Sequence, residues 1–339
     1  MNPTLQVRSP LLAAVSTLRL HFPIAALTFS ALAACSQAPD MSAIANARSA
    51  PVQRYDTTQA LASNGTLLVA ATQNGALLTS MDGGLKWNRT ELGGNTSIID
   101  LAACPDGSFV GLDFNRRVWS TGRDARTWTA HAIAQPRTPL AITCAPDATW
   151  WVVGTNATLA SSVDGGATWR TNDLDTDAQL TAVKFFDASN GVAVGEFGLQ
   201  ISTRDGGKSW TRQAPIPNDF YSYSMLFLDQ KQGWVSGLAG QVLHTADGGA
   251  SWQPQENTSH QALYRLFLVG GVPYGAGASG TVAKLADGKW MPVPVTNVPP
   301  AFLAGATGLA EQPGLVVGGP GGLLAKVDTA NATTPPIAH

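Results

Sequence analysis

The stretch Ser80-Met81-Asp82-Gly83-Gly84-Leu85-Lys86-Trp87 is repeated three more times, at residues 162–169, 203–210 and 245–252. Each copy has a hydroxyl residue, any residue, Asp-Gly-Gly, two residues and Trp, and we call this pattern the Asp box. Its Asp can accept backbone N–H bonds within a turn, and its glycines supply positive φ angles. The Trp then returns a large apolar ring to the structure. The pattern therefore predicts a structural role for Asp82, Trp87, Asp164, Trp169, Asp205, Trp210, Asp247 and Trp252.

The spacing of these tryptophans predicts the fold. Trp87, Trp128, Trp169 and Trp210 follow one another at equal intervals, and Trp252 and Trp290 continue the series with nearly the same step. A period of about 40 residues in a sequence of short β-type segments is typical of one propeller blade per repeat. Blades need one another, because one four-stranded sheet cannot bury both of its faces alone. We therefore predict an all-β, seven-bladed β-propeller of four-stranded antiparallel blades over residues 51–328.

The seventh repeat is incomplete and raises the question of how the ring closes. Segments 314–318 and 321–326 match second and third strands, but no Gly-Gly or Trp follows Asp328. A missing outer strand would leave an exposed sheet edge. The segment 51–55, just before the first repeat, is the natural donor, so we predict that this N-terminal strand closes the last blade. The remaining segment, 329–339, is predicted to be a disordered tail.

Residues 1–50 have the features of an export signal. The apolar run at residues 22–34 is too short for a transmembrane helix and fits the core of a signal peptide. Leu32-Ala33-Ala34-Cys35 resembles a bacterial lipobox, which implies removal of residues 1–34 and lipidation of Cys35. Ser36 then implies the periplasm-facing outer membrane, and residues 35–50 read as a flexible tether. An ordinary secretory signal with an incidental cysteine is the alternative.

Charge and cysteine content agree with an exported protein. The net charge of −2 offers no electrostatic basis for nucleic-acid binding. Cys104 and Cys144 lie about one repeat length apart, near the ends of first strands in adjacent repeats, where a disulfide is permitted outside the cytoplasm. Two buried free thiols are an equally good interpretation.

The Asp boxes, the recurring Val-Gly pairs such as Val153-Gly154 and Val194-Gly195, and the regular period of the tryptophans resemble the photosystem II stability/assembly factor family of seven-bladed propellers. The resemblance covers residues 51–328. It implies a non-catalytic, lipid-anchored scaffold that binds a membrane-associated protein partner and assists assembly of a membrane complex. The family is described as binding through an arginine-rich patch. The arginines here that could correspond are Arg116, Arg117, Arg123 and Arg126, although no motif maps them one by one.

Asp boxes also occur in sialidases and other glycoside hydrolases, so a carbohydrate-active or glycan-binding propeller is the alternative function. Such enzymes need two carboxyl groups about 5 to 9.5 Å apart. Glutamate is scarce in the repeats, the Arg-Ile-Pro signature of sialidases is absent, and the Asp-box carboxylates belong to turns. His131, His244 and His260 show no metal-ligand spacing, and no Gly-x-Ser-x-Gly motif occurs. We therefore expect no catalytic residues, no metal and no cofactor.

A protein-binding face is the remaining prediction. In a propeller, the loops that join second to third strands share one face with the blade-to-blade connections, and the Asp boxes lie on the other. Arg and aromatic residues are the types that anchor interfaces. Capping of the core between blades is the alternative role for the aromatic residues. The predicted partner-binding residues are Phe114, Arg116, Arg117, Arg137, Glu196, Phe197, Phe220, Tyr221 and Tyr223.

Overall fold

The computed structural model describes residues 40, 42, 46, 49–310 and 314–329, and these contain seven antiparallel sheets. Blades one to three contain β1 (Thr58–Ser63), β2 (Leu68–Thr72), β3 (Ala76–Ser80), β4 (Asn88–Glu91), β5 (Ile98–Ala103), β6 (Phe109–Asp113), β7 (Arg117–Thr121), β8 (Thr129–Ala132), β9 (Pro139–Cys144), β10 (Trp150–Gly154), β11 (Leu159–Ser162) and β12 (Arg170–Asn172). Blades four and five contain β13 (Leu180–Phe185), β14 (Gly191–Gly195), β15 (Gln200–Thr203), β16 (Thr211–Arg212), β17 (Ser222–Phe227), β18 (Gly233–Gly237), β19 (Val242–Thr245) and β20 (Gln253–Gln255). Blades six and seven contain β21 (Leu263–Val269), β22 (Val272–Gly277), β23 (Val282–Ala286), β24 (Lys289–Pro292), β25 (Gly305–Gly308), β26 (Gly314–Gly318) and β27 (Leu324–Asp328).

The burial of each strand follows its place in the blade. The second strands are almost wholly buried, as in Gly191–Gly195, which reads Gly-Val-Ala-Val-Gly. The fourth strands are short and largely exposed, as in Thr211–Arg212. The first strands of neighbouring blades contact one another and form the inner ring. Four short 3-10 turns link second to third strands at Thr155–Ala157, Glu196–Gly198, Leu238–Gly240 and Ala278–Gly280.

Among the described residues, the hydrophobic core forms seven clusters, and each cluster lies between two adjacent blades. Val69 and Leu77 of blade one pack with Phe109 of blade two, for example. Leu78 of blade one packs with Val316 of blade seven, so the ring is closed through its core. Because both faces of every blade are covered by neighbours, the predicted seven-bladed propeller is confirmed.

The seventh blade differs from the prediction. It has three strands in the described residues, and residues 51–55 form bends and turns rather than its outer strand. Asp56 explains why: its Oδ2 accepts the backbone N–H of Gln53 at 2.7 Å, and the guanidinium of Arg89 in blade one holds the same carboxylate. The segment is thereby curled against blade one.

Two other contacts tie the ends of the ring together. The N–H of Thr58 donates to the carbonyl of Gly319, and the N–H of Gly322 donates to the carbonyl of Asp56. At the outer edge of β27, the side-chain amide of Asn297 donates to the carbonyl of Lys326 at 2.8 Å. The connection that follows blade six therefore contacts the sheet edge that the sequence predicts to be covered by residues 51–55.

The signal peptide, Cys35, most of the predicted tether and nearly all of the predicted tail lie outside the described residues. The strands all fall within one compact unit, Ile44–His339. Among the residues that are described, no helix has the length and apolarity needed to cross a membrane.

Candidate functional site

The propeller presents two faces with different chemistry. One face carries the Asp boxes and the turns between first and second strands, and we call it the Asp-box face. The other carries the turns between second and third strands and the blade-to-blade segments, and we call it the connection face. In every complete blade the chain alternates between the two faces, because its four strands are consecutive and antiparallel.

Each Asp box is held together by its own hydrogen bonds. In the third copy, the hydroxyl of Thr203 donates to Asp205 Oδ1 at 2.8 Å and accepts the N–H of Gly207 at 2.8 Å. The N–H and the hydroxyl of Ser209 donate to the two oxygens of the same carboxylate at 2.9 and 2.6 Å. Gly206 and Gly207 have φ angles of +72° and +75°, as the turn requires. The carboxylate is thus occupied by its own turn.

These bonds lower the pKa of the Asp-box carboxyl groups. The pKa values of Asp164, Asp205 and Asp247 are each lowered to about 2. The largest cause is a hydrogen bond from the hydroxyl group four residues later, which belongs to Thr168, Ser209 and Ser251, respectively. In the first copy, Lys86 stands where the others have a hydroxyl residue. The pKa of Asp82 is also lowered, chiefly by the backbone N–H of Lys86.

An ion pair crosses the central axis of the ring. Asp100 lies on the inner strand of blade two and Arg265 on that of blade six, on the opposite side, and their side chains meet at 3.1 Å. Asp100 Oδ2 also accepts the N–H of Ile142 at 2.9 Å, and Arg265 Nε donates to the carbonyl of Ala304 at 2.9 Å. The side chains of Asp100 and Arg265 are therefore paired with each other and with backbone groups of blades three and seven.

The predicted partner-binding residues separate into exposed and buried groups. Phe114 and Phe197 lie on the connection face with 62% and 66% of their surface exposed. Phe220 is only 2% exposed and packs in the core between blades four and five. Its ring fills the space beside Gly237, which has no side chain to displace it. Phe220 is thus a core residue, and the alternative that we weighed for it is the one observed.

The arginines also separate. Arg117 Nε lies 2.5 Å from Oδ2 of the fully buried Asp113, and its guanidinium lies 5.2 Å from the Trp119 ring. Arg117 therefore belongs to the framework of blade two. Arg116 and Arg137 are exposed on the connection face.

The four arginines that the family resemblance suggested do not form one patch. Arg123 and Arg126 follow the third strand of blade two, on the Asp-box face, where Arg126 lies 3.6 Å from Asp124. Arg116 and Arg117 follow the second strand, on the opposite face.

A row of aromatic rings on the connection face was only partly predicted. Ring centroids are 5.6 Å apart for Tyr221 and Tyr223, 5.2 Å for Tyr223 and Tyr264, and 4.2 Å for Tyr264 and Phe302. The predictions named Tyr221 and Tyr223 but missed Tyr264 and Phe302. Tyr223 and Tyr264 occupy the same position of successive repeats, so the repeat alignment could have found the second from the first.

Cys104 and Cys144 are joined by a disulfide that connects the first strands of blades two and three. For a sequence separation of 40, the chain-entropy model assigns such a bond about 4 kcal/mol. Over the described part of the chain, no three His, Cys, Asp or Glu side chains come together as a metal site would require.

The fold and the repeated turns define the class of the protein: it is a seven-bladed Asp-box β-propeller. The family model described as photosynthesis system II assembly factor YCF48 matches residues 120–214 and 168–263. The predicted resemblance to this family is thereby confirmed. Comparison with curated proteins gives no match.

Solved structures extend the likeness of the fold to most of the chain. YCF48 from Cyanidioschyzon merolae has a TM-score of 0.67 at 15% identity, covering 83% of this chain and 98% of its own. YCF48 bound to D1 peptide has a TM-score of 0.66 at 14% identity, covering 82% and 95%. A streptogramin B lyase has a TM-score of 0.67 at 10% identity, covering 80% and 92%. Since both an assembly factor and a lyase fit equally well at such low identity, these structures show the shared fold alone.

Proposed function

We propose that this chain is a non-catalytic propeller scaffold that binds a protein partner through its connection face. One observation carries the proposal. In the described residues, the large aromatic side chains that are at least half exposed are Tyr55, Phe114, Phe197 and Phe302, and all four belong to the connection face. The Asp-box face exposes aliphatic side chains instead, among them Met81, Leu85 and Val163. Exposed aromatic residues anchor protein interfaces more often than exposed aliphatic ones do.

The resemblance to an assembly factor family supports the same function. A protein of similar fold, YCF48, was solved with a bound D1 peptide. The sequence-based alternative, a carbohydrate-active propeller, calls for two carboxyl groups that converge in the central cleft. The axial carboxylate of Asp100 is paired with Arg265 instead. We propose on these grounds that the partner is a protein of a membrane complex.

Site-specific photo-crosslinking tests which face binds. A photoreactive residue is placed at Phe114 or Phe197 on the connection face, and at Met81 or Val163 on the Asp-box face as exposed controls. After irradiation in the native host, we expect discrete adducts from the first pair and none from the second. Adducts from the control positions alone, or from no position, would overturn the proposal.

We also propose that the mature chain is a lipoprotein anchored through Cys35 and facing the periplasm from the outer membrane. The lipobox-like sequence before Cys35 supports this, and the Cys104–Cys144 disulfide is consistent with an oxidising compartment. Cys35→Ser should release the protein from membranes or leave the precursor uncleaved, as followed by fractionation and mass. Cys35→Ser that is processed and retained in membranes like the wild type would contradict lipidation.

A further inference from the structure

The connection face is divided by charge. The segment between blades three and four carries Asp173, Asp175 and Asp177, all exposed, and the neighbouring loops add Glu196 and Asp219. None of these five carboxylates forms an ion pair with any described residue. Glu196 is half-buried, and its Oε2 accepts the backbone N–H of Gln179 at 3.0 Å. We call the part of the face with these five carboxylates the acidic sector. The exposed arginines Arg116 and Arg137 precede it along the ring, in the turn of blade two and in the connection to blade three.

The aromatic row begins beside this acidic sector. Burial, followed by the neighbouring Glu196 carboxylate, raises the pKa of Tyr221, so the acid and the phenol are close neighbours. From Tyr221 the rings continue through Tyr223 and Tyr264 to Phe302, which is half exposed. Phe197, which follows Glu196 directly, adds another exposed ring. We call these carboxylates and rings together the acidic–aromatic patch.

Backbone hydrogen bonds hold the loops of the patch in place. The N–H of Gly198 donates to the carbonyl of Phe220, and the N–H of Ile216 donates to the carbonyl of Gly198, both at 2.9 Å. The turn that carries Phe197 is thus tied to the segment that carries Tyr221. A cavity of about 420 Å³ lies along this junction, lined in part by Asp177, Glu196, Phe197 and Pro215. Arg212 also lines it, and its guanidinium donates to the carbonyl of Leu174 at 3.4 Å. A surface ordered before binding loses less conformational entropy when a ligand binds.

The acidic–aromatic patch contains the two kinds of groups that recognise a basic residue. Exposed carboxylates attract an ammonium or guanidinium group, and the faces of Tyr and Phe rings bind the same cations through their quadrupoles. Arg also stacks on aromatic rings and pairs with carboxylates through two parallel bonds. The remaining exposed ring area offers apolar contact to the side chains between the basic ones.

We propose that the acidic–aromatic patch binds an extended segment of the partner in which Lys or Arg alternates with aromatic or large aliphatic residues. This inference rests on the proposed function. The segment runs from the carboxylates around Glu196 along the row from Tyr221 to Phe302. The arginines Arg116 and Arg137 lie outside this path, and Arg212, which lines the cavity at its start, is outnumbered by the five carboxylates. The charge of the partner segment is therefore positive, opposite to what an arginine-lined site would select.

Fluorescence anisotropy with labelled synthetic peptides tests this pairing on the full-length chain in detergent. The probe is a peptide of alternating Arg and Tyr or Leu, and its matched control has Glu in place of each Arg. We expect the basic peptide to bind and the acidic one not to bind, with affinity falling between about 50 mM and about 200 mM salt. Binding of the acidic peptide, or of neither, would overturn the proposal.

Variants distinguish specific binding at the patch from non-specific electrostatic attraction to an acidic surface. Two double variants should each lower the affinity for the basic peptide by about tenfold. One combines Glu196→Gln with Asp177→Asn, and the other combines Tyr264→Ala with Phe302→Ala. Arg116→Ala combined with Arg137→Ala is the matched control on the same face and should leave affinity unchanged. Far-ultraviolet circular dichroism and melting temperature verify that each variant is folded.

The outcomes also distinguish this inference from the proposed function. Loss of affinity in the carboxylate variant with none in the aromatic variant indicates non-specific attraction and overturns the patch. If chitohexaose binds at the aromatic rings and does not compete with the basic peptide, the rings belong to a glycan site. This result would also overturn the proposed patch. Crosslinks from Phe197 to a protein whose contacting segment is acidic would refute the patch and leave the proposed function standing.

Discussion

At the scale of single residues, the Asp boxes show how a carboxylate can be conspicuous in the sequence and yet be committed to structure. Both oxygens of Asp164, Asp205 and Asp247 accept hydrogen bonds from their own turns. The residue four positions after the Asp determines the strength of this effect. Where it is Ser or Thr the pKa of the Asp falls to about 2, because the hydroxyl stabilises the ionised form.

This lowered pKa predicts the response of stability to acid. The Asp carboxyl groups titrate near 3.8 when unfolded and near 2 when folded, so they stabilise the fold above pH 3.8 and lose that contribution as the pH falls towards 2. We expect the melting temperature to drop across this interval. Asp205→Asn should make the drop smaller, whereas Asp219→Asn, which removes a charge on the connection face, should not. An unchanged acid profile in Asp205→Asn would contradict the assigned role.

The two neighbouring arginines in blade two should differ in how much the same substitution destabilises the fold. Arg117→Ala removes the charged partner of the buried Asp113 carboxylate, which keeps the N–H of Trp119 and the backbone N–H of residue 117. It should lower the free energy of unfolding by about 2–3 kcal/mol, less than for a fully buried pair because Arg117 is partly exposed. Arg116→Ala should change it by no more than about 0.5 kcal/mol. Urea unfolding measures both. Equal effects of the two substitutions would contradict a structural role of the Arg117–Asp113 pair.

At the scale of elements, each Asp box delivers its Trp to the junction between two blades. The Trp252 ring of blade five lies 6.3 Å from Phe227, and its Nε1 donates to Oε1 of the buried Gln200 in blade four at 2.9 Å. Trp210 of blade four packs likewise against Trp151 of blade three, with ring centroids 5.7 Å apart. The box therefore joins its own blade to the preceding one, which explains why the motif recurs with the period of the blade.

Substitution of Trp252 tests this joining role. Trp252→Ala should cost about 3–5 kcal/mol of stability, since it removes a large buried ring. Trp252→Phe should cost less, because a ring still fills the site, but it leaves the Gln200 side chain without its donor. Chemical unfolding compares the two variants. If Trp252→Phe were as damaging as Trp252→Ala, the hydrogen bond rather than the packing would dominate.

At the scale of the whole molecule, the ring is held by its core clusters and by the charge pair of Asp100 and Arg265 across its axis. Asp100 and Arg265 belong to blades on opposite sides, so their contact can form only when all the blades between them are in place. The ring also closes between blades seven and one without a fourth strand from the described residues in the last sheet. Closure therefore depends on packing between blade faces more than on strand pairing.

A double-mutant cycle measures the axial pair. Arg265→Met leaves the Asp100 carboxylate, which is 7% exposed, unpaired and should cost about 2–3 kcal/mol, while Asp100→Leu combined with Arg265→Met should recover much of that loss. The exposed pair Lys289 and Glu256 serves as the control and should show a coupling below about 1 kcal/mol. Additive effects at the axis would mean that the pair contributes no coupling.

The repeat sequence by itself determined the class of fold, the number of blades, the structural Asp boxes and the family resemblance. These features are local: a turn motif and a strand pattern depend on residues within one repeat, and the period counts the repeats. The faces on which loops emerge follow from the same alternation of strands. The sequence alone therefore places Phe114 and Phe197 on the connection face.

Only the tertiary structure decided which neighbouring residues point outwards and which distant ones meet. Phe220 turns into the core beside Gly237, although Phe197 on the adjacent loop stays exposed. Residues 51–55 curl towards Arg89 rather than completing the last blade. Asp100 and Arg265, which are far apart in the sequence, face each other across the ring. Such contacts depend on the curvature of the closed ring and on which side chain fills each gap, and a periodic pattern carries no record of either.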